Sequence, residues 1–130
     1  MKTLIILSAM FFAFASVSYA QATRTVTIKA GQAKTESRSK LKIKFISVIE
    51  DSRCPEGVNC IWAGNAKIKV EIKSSRTTKI FEFNTGMGPK GDILDGWAIN
   101  LEELTPYPKN NITTDPKRYQ AKFTIVRLTR

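Results

Sequence analysis

The residues of this sequence that could do chemistry are concentrated in one stretch, residues 50–66. The stretch contains both cysteines of the chain, Cys54 and Cys60, together with several carboxylates and one of the two tryptophans. The two cysteines are spaced as Cys-x5-Cys, whereas redox enzymes use Cys-x-x-Cys. We therefore predict that Cys54 and Cys60 form a structural disulfide that closes a short loop, with a catalytic or metal-binding pair as the alternative.

The sequence contains no histidine, which restricts the reactions that the protein could catalyse. Ser-His-Asp and Cys-His activation of a nucleophile are excluded, and so are histidine general bases and the commonest ligand of zinc and copper. A weak hydrolase that uses two carboxylates is the remaining enzymatic alternative. We expect a protein that is not an enzyme, with no catalytic residues and no cofactor.

Side chains with oxygen atoms of the kind that calcium prefers are frequent in the same stretch: Glu50, Asp51, Glu56 and Asn59. A calcium site needs six or more oxygen ligands, and the spacing of these residues matches no calcium-binding loop. Hydrogen bonding within turns explains their presence more simply. We predict no metal site, and Glu50, Asp51 and Glu56 are only weak calcium candidates.

Trp62 follows the second cysteine by two residues and has two interpretations. An indole packed against a disulfide is common in the cores of β-sandwiches. The alternative is an exposed aromatic anchor beside a rigid loop, which would suit a binding protein. In that case the candidate binding residues of the loop are Arg53, Glu56, Asn59 and Trp62.

The elements that must position this loop are predicted to be strands, because apolar and polar residues alternate along them. The predicted strands cover residues 25–29, 41–48, 65–73, 77–83, 96–101 and 119–125. The alternation changes parity at Phe45 and Ile46, which indicates a β-bulge or a strand buried on both faces. No segment has a helical period. We therefore predict an all-β fold, either a single antiparallel β-sandwich of immunoglobulin-like size with about seven strands or a small barrel.

The first twenty residues have the three parts of a secretory signal peptide. These are a positive start with Lys2, an apolar run over residues 4–17 and a cleavage site that ends at Ala20. Cleavage there leaves residues 21–130 as a single β domain, and no other apolar run is long enough to span a membrane. We expect the protein to be secreted or periplasmic.

The formal net charge of +10 favours anionic partners, although charge also simply keeps a protein soluble. Five lysines on the strands that flank the loop share the outward parity, and they form one basic stripe if those strands are neighbours: Lys42, Lys44, Lys67, Lys69 and Lys73. Basic surfaces that bind single-stranded nucleic acid usually include aromatic side chains, and this face has none. An anionic glycan or a lipid headgroup is therefore preferred to nucleic acid.

The loop also carries the motif EDSRCPxGVxCxWAGxA, which runs from Glu50 to Ala66. A Leu-x-Pro-Tyr-Pro segment over residues 104–108 and a Tyr-x-Ala segment over residues 119–121 follow it. With these segments the chain resembles small exported bacterial β-sandwich proteins of uncharacterised function. The resemblance implies a bacterial source and an extracytoplasmic location, and it brings no activity with it.

Our leading functional hypothesis is an exported, non-catalytic binding module. It would present the Cys54–Cys60 loop and the basic sheet face to an unidentified extracytoplasmic protein, an anionic glycan or a lipid headgroup. One alternative is an inhibitor of an exported hydrolase, since a disulfide-closed loop is already ordered before it binds. Another is a structural envelope domain in which the loop only supports the fold.

Overall fold

In the computed structural model, the residues described are 15–17 and 22–129. Apart from residues 15–17, the predicted signal peptide and its cleavage site lie outside this part of the chain. Within it, no helix is long and apolar enough to cross a membrane.

The described part of the chain contains eight strands in two antiparallel four-stranded sheets, one with the order β1-β8-β7-β6 and the other with the order β2-β3-β4-β5. The strands are β1 (Arg24–Lys29), β2 (Ala33–Thr35), β3 (Lys42–Asp51), β4 (Ala66–Lys73), β5 (Thr78–Asn84), β6 (Gly91–Leu94), β7 (Trp97–Thr105) and β8 (Gln120–Arg127). The described residues include no α-helix and one 3-10 turn, Pro116–Arg118. The predicted antiparallel β-sandwich with one short disulfide-closed loop is confirmed.

The alternation of apolar and polar residues explains why the two sheets pack face to face. In β4, every second residue is fully buried, and the lysines between them point outward. β8 shows the same pattern on the other sheet. Burial of each large apolar side chain contributes about 1.5–3 kcal/mol. The largest of these side chains are Phe45, Phe83, Phe123, Ile28, Leu41, Ile43, Ile68, Ile72, Ile99, Leu104 and Ile125.

β3 contains two irregularities that set the direction in which it enters the cysteine loop. The pairing with β4 shifts between Phe45 and Ser47, so the predicted bulge is confirmed. It shifts again between Val48 and Glu50. After the second shift Asp51 lies opposite the buried Ala66, on the inward side of the sheet. The second bulge therefore turns a carboxylate toward the interior at the point where the strand ends.

Two strands were not predicted, for different reasons. β2 has three residues, all exposed, and so has no apolar alternation to reveal it. β6 begins at Gly91, within a glycine-rich segment that predicts a loop. A Cβ atom at Gly91 would lie 2.1 Å from the carbonyl oxygen of Ile99, so only glycine permits this pairing. Asp95 and Gly96, with φ angles of 49° and 80°, form the turn of the β6–β7 hairpin.

The antiparallel order places three long connections at one end of the sandwich, which we call the disulfide end. They are residues 52–65 between β3 and β4, 85–90 between β5 and β6, and 106–119 between β7 and β8. The connections between β2 and β3, β4 and β5, and β6 and β7 lie together at the opposite end. The candidate residues of the cysteine loop are therefore surrounded by the two other long connections.

Candidate functional site

The predicted disulfide between Cys54 and Cys60 is present, with a Cα–Cα distance of 5.8 Å. The base of its loop continues the pairing of β3 and β4, because the amide of Cys54 donates to the carbonyl of Ala63 at 3.0 Å. Ser52 donates in the same way to Asn65 at 2.8 Å. The loop is therefore closed covalently at its tip and by backbone hydrogen bonds at its base.

Arg53 lies inside the fold and is only 6% exposed. Its Nε and Nη2 atoms donate to the two carboxylate oxygens of Asp51, each at 2.8 Å. Nη1 donates to the carbonyl of Leu104, and Nη2 also donates to the carbonyl of Pro106 at 2.9 Å. The guanidinium carbon lies 4.6 Å from the centre of the Tyr107 ring. The structure thus places Arg53 in the interior and not on the predicted recognition surface.

Asp51 completes this arrangement on the other side of the ion pair. The hydroxyl of Tyr119 donates to its Oδ2 atom at 2.9 Å. Burial raises the pKa of Asp51, but the hydrogen bonds from Arg53 and Tyr119 and the charge of Arg53 outweigh it, so the pKa lies below its ordinary value. Burial and the neighbouring Asp51 carboxylate raise the pKa of Tyr119. Asp51 is therefore ionised and Tyr119 neutral at pH 7.

These contacts join the two sheets at the disulfide end. Asp51 belongs to β3, whereas Leu104 belongs to β7 and Tyr119 directly precedes β8 on the other sheet. We call this group the Arg53 clamp, and it consists of Asp51, Arg53, Leu104, Pro106, Tyr107 and Tyr119. A buried ion pair stabilises a fold only where its hydrogen-bonding groups are satisfied, and here both partners are engaged on several sides. The clamp fixes the base of the cysteine loop relative to the 106–119 connection.

A second buried group, Asn65, fixes the 85–90 connection. Its Oδ1 atom accepts hydrogen bonds from the amides of Gly86 at 3.0 Å and Met87 at 3.1 Å. Its Nδ2 atom donates to Oδ1 of Asn84 at 2.9 Å. None of Asn65, Asn84 and Tyr119 is predicted as a site residue from the sequence. Their one signal in the sequence is a polar side chain at a strand end, where turn residues are also common.

Trp62 does not pack against the disulfide in the core. It is 81% exposed, and its neighbour Ile61 is 92% exposed. The reason is the position of the disulfide, which closes a loop at the end of the sandwich and does not bridge the two sheets. The core-packing interpretation of Trp62 is therefore wrong, and the geometry agrees with the exposed alternative. Glu56 and Asn59 of the same loop are also exposed.

The three connections at the disulfide end carry other exposed apolar side chains. They are Val58 in the disulfide ring, Met87 on the 85–90 connection, and Tyr107 and Ile112 on the 106–119 connection. The connections contact one another, since the amide of Glu56 donates to the carbonyl of Pro108 at 2.9 Å. A shallow cleft of about 260 Å³ between them is lined by residues of all three, including Cys54, Gly86 and Tyr107. All three connections of the disulfide end therefore expose apolar side chains.

The five lysines of the predicted basic stripe do lie on neighbouring strands, because β3 pairs with β4. However, Lys44 faces Glu71, Lys67 faces Glu50, and Lys69 faces Glu82 of β5. Side chains directly opposite each other in a sheet lie close enough to attract. The face is therefore mixed in charge and differs from the predicted stripe. Lys42 and Lys73, which face each other at the end of the two strands, have no carboxylate in their pair.

The three weak calcium candidates are not brought together. Asp51 is held by Arg53 and Tyr119, whereas Glu50 and Glu56 are exposed on the sheet and on the loop. Over residues 15–17 and 22–129, no group of three or more histidine, cysteine, aspartate or glutamate residues could hold a metal ion.

No protein-family model, curated protein or solved structure matches this chain. The resemblance to exported bacterial proteins stays a prediction. Function therefore has to be inferred from the geometry of the disulfide end.

Gly64 and Gly57 provide a matched test of the loop geometry. Both have positive φ, +73° and +75°, so alanine at either position is strained. A Cβ at Gly64 would lie 1.8 Å from the carbonyl oxygen of Ser52, whereas a Cβ at Gly57 would meet nothing within 4 Å. We expect Gly64→Ala to lower the free energy of unfolding by about 1–3 kcal/mol more than Gly57→Ala, as measured by urea unfolding. Equal losses would contradict the close approach of the backbone at Gly64.

The Arg53 clamp predicts a specific dependence of stability on pH. When folding lowers the pKa of a carboxyl, the ionised carboxyl stabilises the folded protein at any pH above the carboxyl's unfolded pKa, which is about 3.9 for aspartate. This stabilisation is lost as the pH falls through the lower pKa of the folded state. Asp51→Asn leaves the buried Arg53 charge without its partner, which costs about 3–5 kcal/mol. We expect this loss in urea unfolding at pH 7 and a smaller difference from the wild type below about pH 4.

The exposed Glu50, one residue earlier, provides the control for this experiment. Glu50→Gln should leave stability near the wild-type value at every pH, since surface ion pairs contribute about 0–1 kcal/mol. If the difference between Asp51→Asn and the wild type is the same at pH 7 and pH 3, Asp51 does not have a lowered pKa in the folded protein.

Proposed function

We propose that this protein is an exported, non-catalytic binding module and that the disulfide end is its recognition surface. The observation that carries the proposal is the exposure of Ile61 and Trp62, two adjacent large apolar side chains at 92% and 81%. They follow directly after the disulfide ring, on a loop whose base the Arg53 clamp holds. An apolar pair exposed on a fixed loop is typical of a binding anchor.

The surroundings of Ile61 and Trp62 favour a protein as the partner. Met87, Tyr107 and Ile112 add exposed apolar area from the two adjacent connections. Tryptophan and tyrosine are enriched among the residues that dominate protein interfaces, because each combines a large apolar area with a polar group. A partner that offers an apolar pocket for Trp62 would fit this surface best.

The way in which the loop is fixed also supports binding. Ordering a flexible loop opposes association, so a loop that is already ordered binds more tightly for the same contacts. The disulfide ring removes about 2 kcal/mol of chain entropy from the unfolded state. The Arg53 clamp and the hydrogen bonds of Asn65 hold the base of the loop and one neighbouring connection.

An extracytoplasmic location agrees with the presence of the disulfide, since disulfides persist in oxidising compartments. We therefore propose that the partner is an extracytoplasmic protein. An anionic glycan or lipid headgroup on the sheet face is less favoured, because Glu50, Glu71 and Glu82 interrupt its lysines.

Replacement of both anchors tests the proposal. We expect Ile61→Ala with Trp62→Ala to reduce retention of a partner from the native envelope fraction about 30-fold or more, as measured by quantitative affinity capture. The melting temperature should remain near the wild-type value, because both side chains are exposed. The partner, once captured, would be purified and titrated against the wild type and the variant.

The matched control is Ile80→Ala with Ile93→Ala, which removes two isoleucines of 57% and 56% exposure from β5 and β6, away from this surface. This control should retain the partner as the wild type does. Equal retention by the Ile61 and Trp62 variant would contradict a recognition surface. The loop would then be a structural device, and replacement of both cysteines by serine should lower stability without changing any binding.

Inhibition of an exported hydrolase is a second candidate, and the same pair of side chains favours it. A rigid loop that ends in Ile61 and Trp62 could enter the substrate-binding cleft of a protease. In that case, micromolar protein should inhibit at least one member of a panel of secreted proteases and glycosidases, and the Ile61 and Trp62 variant should not. Full activity of every enzyme in the panel would count against inhibition.

A further inference from the structure

The opposite end of the sandwich contains a cleft whose composition differs from that of the disulfide end. It has a volume of about 370 Å³ and is lined by Ala22, Arg24, Arg38, Trp97, Arg127 and Thr129. Arg24 begins β1, Arg127 ends β8, and Arg38 lies on the connection between β2 and β3. Three arginines from separate parts of the chain therefore line one space.

The lining residues include no carboxylate that would neutralise these arginines. Among the residues that the structure describes, the one ion pair within 4.0 Å is that of Arg53 with Asp51, far away at the disulfide end. The Nε atom of Arg24 is buried and has no hydrogen-bond partner there. The cleft is thus lined by three positively charged side chains, and the buried Nε atom of one of them has no hydrogen-bond acceptor among the described residues.

Glu36 is a buried carboxylate that interacts with the charge of Arg24. Its two oxygens accept hydrogen bonds from the amides of Arg38 at 3.0 Å and Ser39 at 2.7 Å. Burial raises the pKa of Glu36, but these hydrogen bonds and the charge of Arg24 lower it below its ordinary value. Glu36 is one carboxylate beside three arginines, so the formal charge around the cleft stays positive.

Trp97 supplies the apolar wall of the cleft. It begins β7 and is half-buried, directly opposite Arg127 in the ladder with β8. The guanidinium carbon of Arg127 lies 5.6 Å from the centre of the indole ring, within the range of a cation–π interaction. Trp97 also lines the cleft, so part of the indole is accessible beside Arg127.

We propose that this cleft binds a small organic anion in which a sulfate or phosphate ester is carried on a flat ring. Arg24, Arg38 and Arg127 hold the oxyanion, because guanidinium groups donate pairs of hydrogen bonds to such oxygens. Trp97 packs against the ring. The volume lies in the lower part of the range for small-molecule sites. This site is independent of the proposed recognition surface, since the two lie at opposite ends of the sandwich.

Phenyl sulfate and phenyl phosphate are suitable probes. In a Trp62→Phe variant, Trp97 is the one remaining tryptophan of the chain, and its fluorescence reports on the cleft. At constant ionic strength, we expect saturable binding of both probes, no binding of phenol, and binding of inorganic sulfate that is at least about tenfold weaker. Binding of phenol with equal affinity would overturn the role of the arginines, and binding of inorganic sulfate with equal affinity would overturn the role of the ring.

Charge-matched variants separate the cleft from the general positive charge of the protein. Arg24→Gln and Arg127→Gln, each made in the Trp62→Phe background, should weaken binding of phenyl sulfate about tenfold or more. Arg76→Gln removes an exposed arginine from the β4–β5 turn at the same end but outside the cleft, and should leave the affinity unchanged. Equal loss in all three variants would overturn the proposal. Chemical-shift changes in the wild-type protein, centred on the Trp97 indole N–H, provide a test that requires no substitution of an arginine.

Discussion

A guanidinium group buried between two sheets requires that the protein supply both a countercharge and acceptors for its N–H groups. Arg53 obtains the charge from Asp51, two residues away, and the acceptors from Leu104 and Pro106, on the other sheet and the connection that follows it. Because these partners come from both sheets, the guanidinium can be satisfied only when the sandwich has closed. The position of the disulfide loop thus depends on the packing of the two sheets. The exposed residues of the loop are held in place by the same packing.

Six of the eight described strands and the disulfide could be predicted from the sequence because their signals are local. Alternation within eight residues reveals β4, and two cysteines leave one intrachain pairing. The burial of Arg53 could not be predicted, because Leu104 and Pro106 are more than fifty residues away in sequence. Trp62 was open to two interpretations for a similar reason. An indole near a disulfide is buried or exposed according to where the disulfide lies, and the sequence pattern is the same for a disulfide in the core and for one at the end of the sandwich.

The charged residues show the same distinction between local and distant information. The outward parity of the five lysines was predicted, and it is consistent with the strand pairing. Glu71 and Glu82 lie opposite two of these lysines and lower the positive charge of that face. Which residues lie opposite one another depends on the register of the paired strands. Conversely, Arg24 and Arg127 are far apart in sequence and come together because β1 pairs with β8. Arg38 reaches the same cleft from the β2–β3 connection of the other sheet. The two candidate binding sites therefore lie at the two ends of the sandwich, whereas three of the five lysines on the outer face of the β2–β5 sheet are paired with glutamates.

The shortness of several strands has a further consequence for the behaviour of the protein in a crowded compartment. Over residues 22–129, the two four-stranded sheets end in four edge strands, and such edges can recruit other chains into aggregates. β2 and β6 have only three and four residues. β5 is the longest of the edge strands, and it places the charged Lys79 at a position of inward parity, opposite Ile72. A foreign strand that added to β5 would have to bury this ammonium group, so the fold resists growth into fibres at its longest edge strand.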